Sequence, residues 1–272
     1  MPADAVQEHG ALFDRRGEMF VPTPLARGPW DPNALHGGAP SALFAFVLGR
    51  HDPGPASFVA RLTVELMRPV PLAPLQVVAR TIRPGKKVQW LEGAVLADGR
   101  EVARATALRM RVDEVDVHDQ VSPEVPPVPP RVELMEATPT MSSQVGFWSA
   151  HEIMRATGQF GMAGPAQTWF RLKVPVVGGE TLAPVERVAA AADFGSGVGN
   201  PLPFTNARAI NPELTIHLHR EPAGEWVCLD SGGWMESHGV GMVETRIYDD
   251  NGAIGRGVQA MLVESLPVPW TH

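Results

Sequence analysis

Asp193 closes the small, apolar run Val188 to Ala192 and has no cation within four residues on either side. A carboxylate in that place either caps the turn into Gly195-Ser196-Gly197 or serves as a reagent that orients and deprotonates a water. Gln259 stands in Gly257-Val258-Gln259-Ala260, a strand segment of small and apolar residues that should face the core. An amide buried there must find partners. Asn211, just before Pro212, reads as a turn residue or as a polar group of a site. Glu213 adds a second carboxylate two residues on. If it faced Asp193, one of the two would have a raised pKa. Upstream lies His36-Gly37-Gly38-Ala39-Pro40-Ser41. Its glycines let a backbone or ligand approach closely, and the open N–H groups of a helix start can receive a carbonyl or phosphate oxygen. His36 either holds that turn or acts directly.

Other chemistry is disfavoured. There is no Gly-x-Ser-x-Gly, and Cys228 lies mid-strand beside Trp226 with no histidine in the pattern. His217 and His219 alternate with apolar residues and read as the exposed face of a strand. No acidic or cysteine cluster accompanies them, so no metal site is expected.

These residues need elements to position them. Ala42 to Leu48 is apolar almost throughout, the mark of a helix buried on every face, with Pro40 suited to its first turn. Ala183 to Ala192 gives a second, small-residue helix. Four strands follow the first: Phe58 to Met67, Leu75 to Ile82, Val88 to Leu96 and Glu101 to Val112, the last after the hairpin signal Asp98-Gly99. An earlier strand is expected over Glu18 to Val21. The second half repeats the plan with Asn211 to His219, Glu225 to Gly233, Gly239 to Tyr248 and Ala253 to Glu264, preceded by an arm and a strand around Thr168 to Leu172. Shared order of elements at a spacing of about 150 residues points to an internal repeat. The expected division is a first repeat over 1–115, a Pro-rich linker over 116–135 and a second repeat over 136–272.

The 272 residues carry a formal net charge of −7, which argues against nonspecific nucleic-acid binding. A single cysteine excludes an intramolecular disulfide and fits a reducing, cytoplasmic setting. Neither a signal peptide nor a membrane span is expected. Pro and Gly, 27 of each, fall between periodic segments and not in low-complexity tracts.

Three segments, GPWDPNALHGGAPSALFAF, FVARLTVELMRPVPLAPLQVVARTIRPGKKVQ and NPELTIHLHREPAGEWVCLDS, resemble the thioesterase-like superfamily, whose best-known branch is the type II acyl-CoA thioesterases. The resemblance runs from about Met19 to Glu264. It implies an α+β double hotdog: two repeats, each a buried helix wrapped by a curved antiparallel sheet. It implies hydrolysis of a fatty or aromatic acyl-CoA to the free acid and CoA, with no cofactor. It assigns activation of the attacking water to Asp193, Asn211 and Gln259, and makes His36, Gly37 and Gly38 the substrate-binding or oxyanion edge. In the first repeat Ala107 lies about where Gln259 has its counterpart and Ser41 near the counterpart of Asp193, so the active groups come mainly from the second. An acyl tunnel would run past Phe44, Phe46, Leu48, Phe194 and Trp234. Two other readings stay open: a hotdog hydratase using Asp31 and His36, which have the five-residue spacing of that class, and a non-catalytic acyl-CoA binding protein. Further pairing into a homodimer is compatible with the exposed sheet edges of such a fold.

Overall fold

The structure is a computed structural model of the chain. It describes residues 6, 8–53, 56–117, 121, 124, 126–135, 144–203 and 207–265. Parts of the expected linker, and residues 136–143 of the expected second repeat, lie outside the described residues.

The architecture is α+β, a large antiparallel sheet with few helices. β1 (Phe13–Arg16) and β2 (Met19–Pro22) open the chain, followed by a 3-10 turn at Pro24–Ala26 and α1 (Gly38–Arg50). Next come β3 (Ser57–Glu65), β4 (Leu75–Arg83), β5 (Val88–Ala97) and β6 (Arg100–Arg111). After the short β7 (Glu133–Leu134) and a 3-10 turn at Phe147–Ala150, the chain forms β8 (His151–Thr157) and β9 (Ala166–Leu172). α2 (Pro184–Ala192) and the one-turn α3 (Gly195–Val198) precede β10 (Ala207–Ile210), β11 (Glu213–Leu218), β12 (Val227–Met235), β13 (Val240–Asp249) and β14 (Gly252–Ser265).

The strands form one sheet in the order β1-β2-β4-β5-β6-β3-β11-β14-β13-β12-β9-β8-β7, with β10 also alongside β14. The seam is the β3/β11 pair. Thr63 lies opposite Thr215 there, and their hydroxyls are 3.3 Å apart. α1 lies on β3 to β6, α2 lies on β9, β11 and β12, and the two helices pack against each other. That is why α1 is apolar all round: sheet covers one side and α2 the other, so Leu43, Phe44, Ala45 and Leu48 are all buried. The alternation in β11 is met as expected, with Leu214, Ile216 and Leu218 inward and His217 outward. At the β5–β6 turn, Asp98 and Gly99 both have positive φ, 48° and 72°, the backbone a two-residue hairpin requires.

The strand expected around Thr168 to Leu172 is β9, but the arm expected before it contains a further strand, β8. β8 escapes a period-two pattern because its register slips between Arg155 and Thr157, which carries Ala156 into the core after Ile153. Among the described residues no helix is long and apolar enough to cross a membrane.

Candidate functional site

α1 and α2 run side by side in opposite directions, so the start of α1 meets the end of α2. Gly37 and Gly38 face Ala190 and Asp193 there. Asp193 immediately follows the last residue of α2 and is 5% exposed. Its carboxylate is held from two sides. Asn211, just before β11, donates from Nδ2 to Oδ1 at 2.7 Å. His36 Nδ1 lies 3.0 Å from Oδ2. The same Nδ1 is 3.1 Å from the Gly38 N–H, so two partners compete for one nitrogen. Electrostatics decides between them: an unprotonated Nδ1 would turn its lone pair on a buried carboxylate. A protonated Nδ1 donates to Asp193, and the Gly38 amide is then free at the start of α1. That start has no side-chain cap and no acidic residue in its first turn. The Ala39 N–H is taken by the His36 carbonyl and Pro40 has no N–H, so the Gly38 amide is the one left for an acceptor.

Both glycines are required by close approach. A Cβ on Gly37 would sit 2.7 Å from Asp193 Oδ2 and 2.9 Å from Oδ1. A Cβ on Gly38 would sit 2.6 Å from Phe147 Cε1 and 2.7 Å from the Ala190 carbonyl. The first lets the carboxylate reach the helix start; the second lets the two helices touch.

Gln259, in β14 and 1% exposed, meets Asp193 differently from Asn211. Its Nε2 is 3.4 Å from the main-chain carbonyl of Asp193, not from the carboxylate. Its Oε1 is buried and has no hydrogen-bond partner among the described residues. Gly195 leaves the space beside it, since a Cβ there would lie 2.9 Å from Gln259 Oε1 and 2.7 Å from Thr245 Oγ1. Thr245 in turn shares a 2.8 Å hydrogen bond with Ser231. The structure therefore brings Asp193, Asn211, His36, Gly37 and Gly38 together around one carboxylate, with Gln259 touching the same residue through its backbone.

An aromatic cluster walls this corner. His36 stacks on Phe147 at 4.7 Å, and Phe194 lies 4.6 Å from His36 and 4.7 Å from Phe170. His151 was not singled out from the sequence; it begins β8 on the inward face, two residues before Ile153. It is buried edge-on to Phe147 and Phe194, and its Nδ1 donates to the Phe147 carbonyl at 2.9 Å. Its Nε2 has no partner among the described residues. Burial pushes its pKa down to about 3 against that hydrogen bond, and His36 nearby acts in the same direction. His151 is thus a neutral ring at ordinary pH.

Other expectations divide. Trp234 is exposed at 56% and does not line a tunnel, because it lies on the outward side of β12. Phe44, Phe46, Leu48 and Phe194 are buried. Glu213 uses Oε1 on the Ala260 N–H and Oε2 on the Thr215 hydroxyl, so neither oxygen turns to Asp193. Asp31 is exposed and accepts from the Asn33 N–H, a turn contact, while His36 points to Asp193. Cys228 is fully buried, and burial raises its thiol pKa, which suits packing and not nucleophilic attack. No group of three or more metal-binding side chains occurs among the described residues.

Family models match both halves of the chain: an acyl-CoA thioesterase N-terminal domain over residues 26–110 and an acyl-CoA thioesterase C-terminal domain over residues 122–263. The chain belongs to the acyl-CoA thioesterase family. It is a thioester hydrolase. No curated protein sequence matches it. Among solved structures, a candidate thioesterase from Novosphingobium aromaticivorans is similar at 20% identity and a TM-score of 0.70, over 92% of this chain and 98% of that one. A conserved protein of unknown function with hot dog fold, from Alicyclobacillus acidocaldarius, is similar at 18% identity and a TM-score of 0.67, over 96% and 98%. An acyl-CoA thioesterase II from Mycobacterium marinum is similar at 15% identity and a TM-score of 0.62, over 93% and 96%. At these identities the likeness is one of fold. In this thioesterase the carboxylate at the α1/α2 junction lies where both matched domains meet, since His36 and Gly37 come from the first and Asp193, Asn211 and Gln259 from the second.

Proposed function

We propose that the protein hydrolyses a fatty or aromatic acyl-CoA through a water activated by Asp193, within a double hotdog made of two helix-and-sheet repeats. The observation that carries the site is the buried Asp193 carboxylate, clamped by Asn211 and His36 beside the Gly38 amide at the start of α1. A carboxylate has more acceptor sites than the two these donors use, so it can still take a hydrogen from water. Asp193 draws a proton from that water. The water oxygen bonds to the thioester carbon, the Gly38 N–H receives the developing oxyanion, and the carbon–sulfur bond breaks. The proton passes to the departing CoA sulfur, leaving the free acid. Gln259, with an unpartnered Oε1, accepts a hydrogen bond from the O–H that the water keeps. His36 donates to Asp193 and fixes its orientation.

The turn contact of Asp31 with the Asn33 N–H and the contact of His36 with Asp193 favour hydrolysis over the hydratase reading. The non-catalytic alternative differs in one outcome, binding without turnover. The test is an acyl-CoA panel with thiol detection on wild type, Asp193→Asn and Gln259→Ala. Release of CoA by wild type, reduced by about 10²- to 10⁴-fold in Asp193→Asn, is expected from loss of a general base. Undiminished hydrolysis by that folded variant would overturn the assignment. A cytoplasmic location and homodimerisation belong to the same proposal. The outermost strands, β1 and β7, are four and two residues long and offer little edge, so sedimentation is the check on association.

A further inference from the structure

The antiparallel helix pair has a second end, where the C-terminus of α1 meets the start of α2. A cavity of about 170 Å³ opens there, lined by Ala45, Gly49 and Arg109 on one side and Val185 and Leu218 on the other. It exceeds the ~150 Å³ that accommodates benzene in an apolar protein cavity. The strand registers relate this end to the catalytic one. Thr63 pairs with Thr106 as Thr215 pairs with Val258, so Ala107 and Gln259 each lie one residue beyond. Two residues further along the inward faces, β6 carries Arg109 where β14 carries Met261. The amide of the catalytic end is absent here, and a guanidinium is present.

Arg109 is 4% exposed, a buried cation. Its partners are all neutral: Nε donates to Gln89 Oε1, Nη1 to the Gly49 carbonyl at 3.3 Å, and Nη2 to the carbonyls of His51 and Asp52. Among the described residues no carboxylate lies within ion-pair distance of it. Four of its five N–H groups are used, and one on Nη1 is left. The other cation on the wall, Arg50, is already paired with the buried Glu186. The remaining acid, Glu221, is exposed, where solvent screens it. The exposed Asp52 carboxylate acts on it only from beyond ion-pair distance, so a buried guanidinium held by neutral partners gains from an anion that joins it. One free donor suits a monoanion better than a phosphate, which uses several. The apolar walls suit a hydrocarbon body.

We propose that this cavity is a second, non-hydrolytic binding site for a small monocarboxylate with an apolar tail, its carboxylate on Arg109. The class includes the acids that thioester hydrolysis releases, but the site stands whatever thioester is cut.

Gly49 supplies a test that spares Arg109, which also holds the C-terminus of α1. A Cβ at Gly49 meets nothing within 4 Å, so Gly49→Leu fills the cavity and improves helix propensity. Hexanoate, hexanol and inorganic phosphate would be titrated calorimetrically into wild type, Gly49→Leu and Asp193→Asn. Hexanoate is expected to bind wild type and Asp193→Asn alike. Binding should be lost in Gly49→Leu, with its melting temperature and thioesterase activity kept. Hexanol should bind about tenfold more weakly, for want of a charge-assisted hydrogen bond. Hexanoate binding that survives in Gly49→Leu, or that disappears in Asp193→Asn, would place the ligand elsewhere and overturn the proposal. Equal binding of hexanol, or displacement of hexanoate by phosphate, would overturn the carboxylate assignment.

Discussion

At the scale of the residue, the site depends on a missing atom as much as on the polar groups. Gly37 has no Cβ, and any other residue would place one 2.7 Å from the Asp193 carboxylate. Gly37→Ala should therefore push the carboxylate off His36 and Asn211 and lower kcat/KM by about a hundredfold, the scale of a 1 Å misplacement. Its melting temperature should move little, because the displaced group is a side chain at a helix end. Steady-state kinetics alongside a thermal melt check both halves, and a fully active Gly37→Ala would detach Asp193 from the chemistry. Asp193 and the two glycines were readable from the sequence as a carboxylate at a helix end and an open helix start. The His36 contact was not, because it depends on bringing residues 36 and 193 together. The contact made by Gln259 differs from expectation for the same kind of reason. Its strand position fixes its burial, but its reach ends at the Asp193 backbone.

At the scale of the element, the Ala189 to Ala192 stretch has a packing purpose. All four residues are buried, and Ala190 brings its carbonyl to Gly38 of α1. Small side chains let two helix backbones approach and carry Asp193 to the start of α1. Ala190→Leu would overpack this contact and should cost about 1–3 kcal/mol in stability, measured by chemical denaturation. Activity should fall with it, since the helix end carries the carboxylate. A variant as stable as wild type would mean that the helices have slack. β3 to β6 and β11 to β14 were legible from alternation and turn signals. The four-residue β10 was not expected, being too short to show a period, and β8 was not, because a bulge interrupts its period.

At the scale of the whole molecule, one continuous sheet joins both matched domains through β3 and β11, so acid should act on the fold as a unit. His151 sets the upper part of that response. Its folded pKa is pushed down to about 3 from an ordinary value near 6.5. Between those values the unfolded chain binds a proton that the folded chain does not. Stability is therefore full above about pH 6.5 and falls as pH drops toward 3, by at most about 1.4 kcal/mol per unit. Asp249 acts lower. Burial alone would raise its pKa, but Arg220 and the N–H groups of Ala223 and Asn251 outweigh that and hold it below 3.8, so its contribution is lost only as pH falls below that value. Urea denaturation from pH 7 to pH 4 should show declining stability in wild type and a flatter profile in His151→Phe. Equal slopes would mean that the His151 ring is reached by solvent.

The sequence alone determined the local facts: which segments alternate, which helix is apolar on every face, where Asp98-Gly99 turns, and that Asp193 and Gln259 are polar groups in apolar company. Those follow from backbone and side-chain preferences acting over a few residues. Only the tertiary structure decided which distant groups meet. That Asp193 lies between His36 and Asn211, that Glu213 and Asp31 turn to other partners, that Trp234 faces outward, and that Arg109 makes no ion pair among the described residues all depend on how two helices cross a shared sheet. Contacts between residues far apart in the chain are set by packing, which no local pattern encodes.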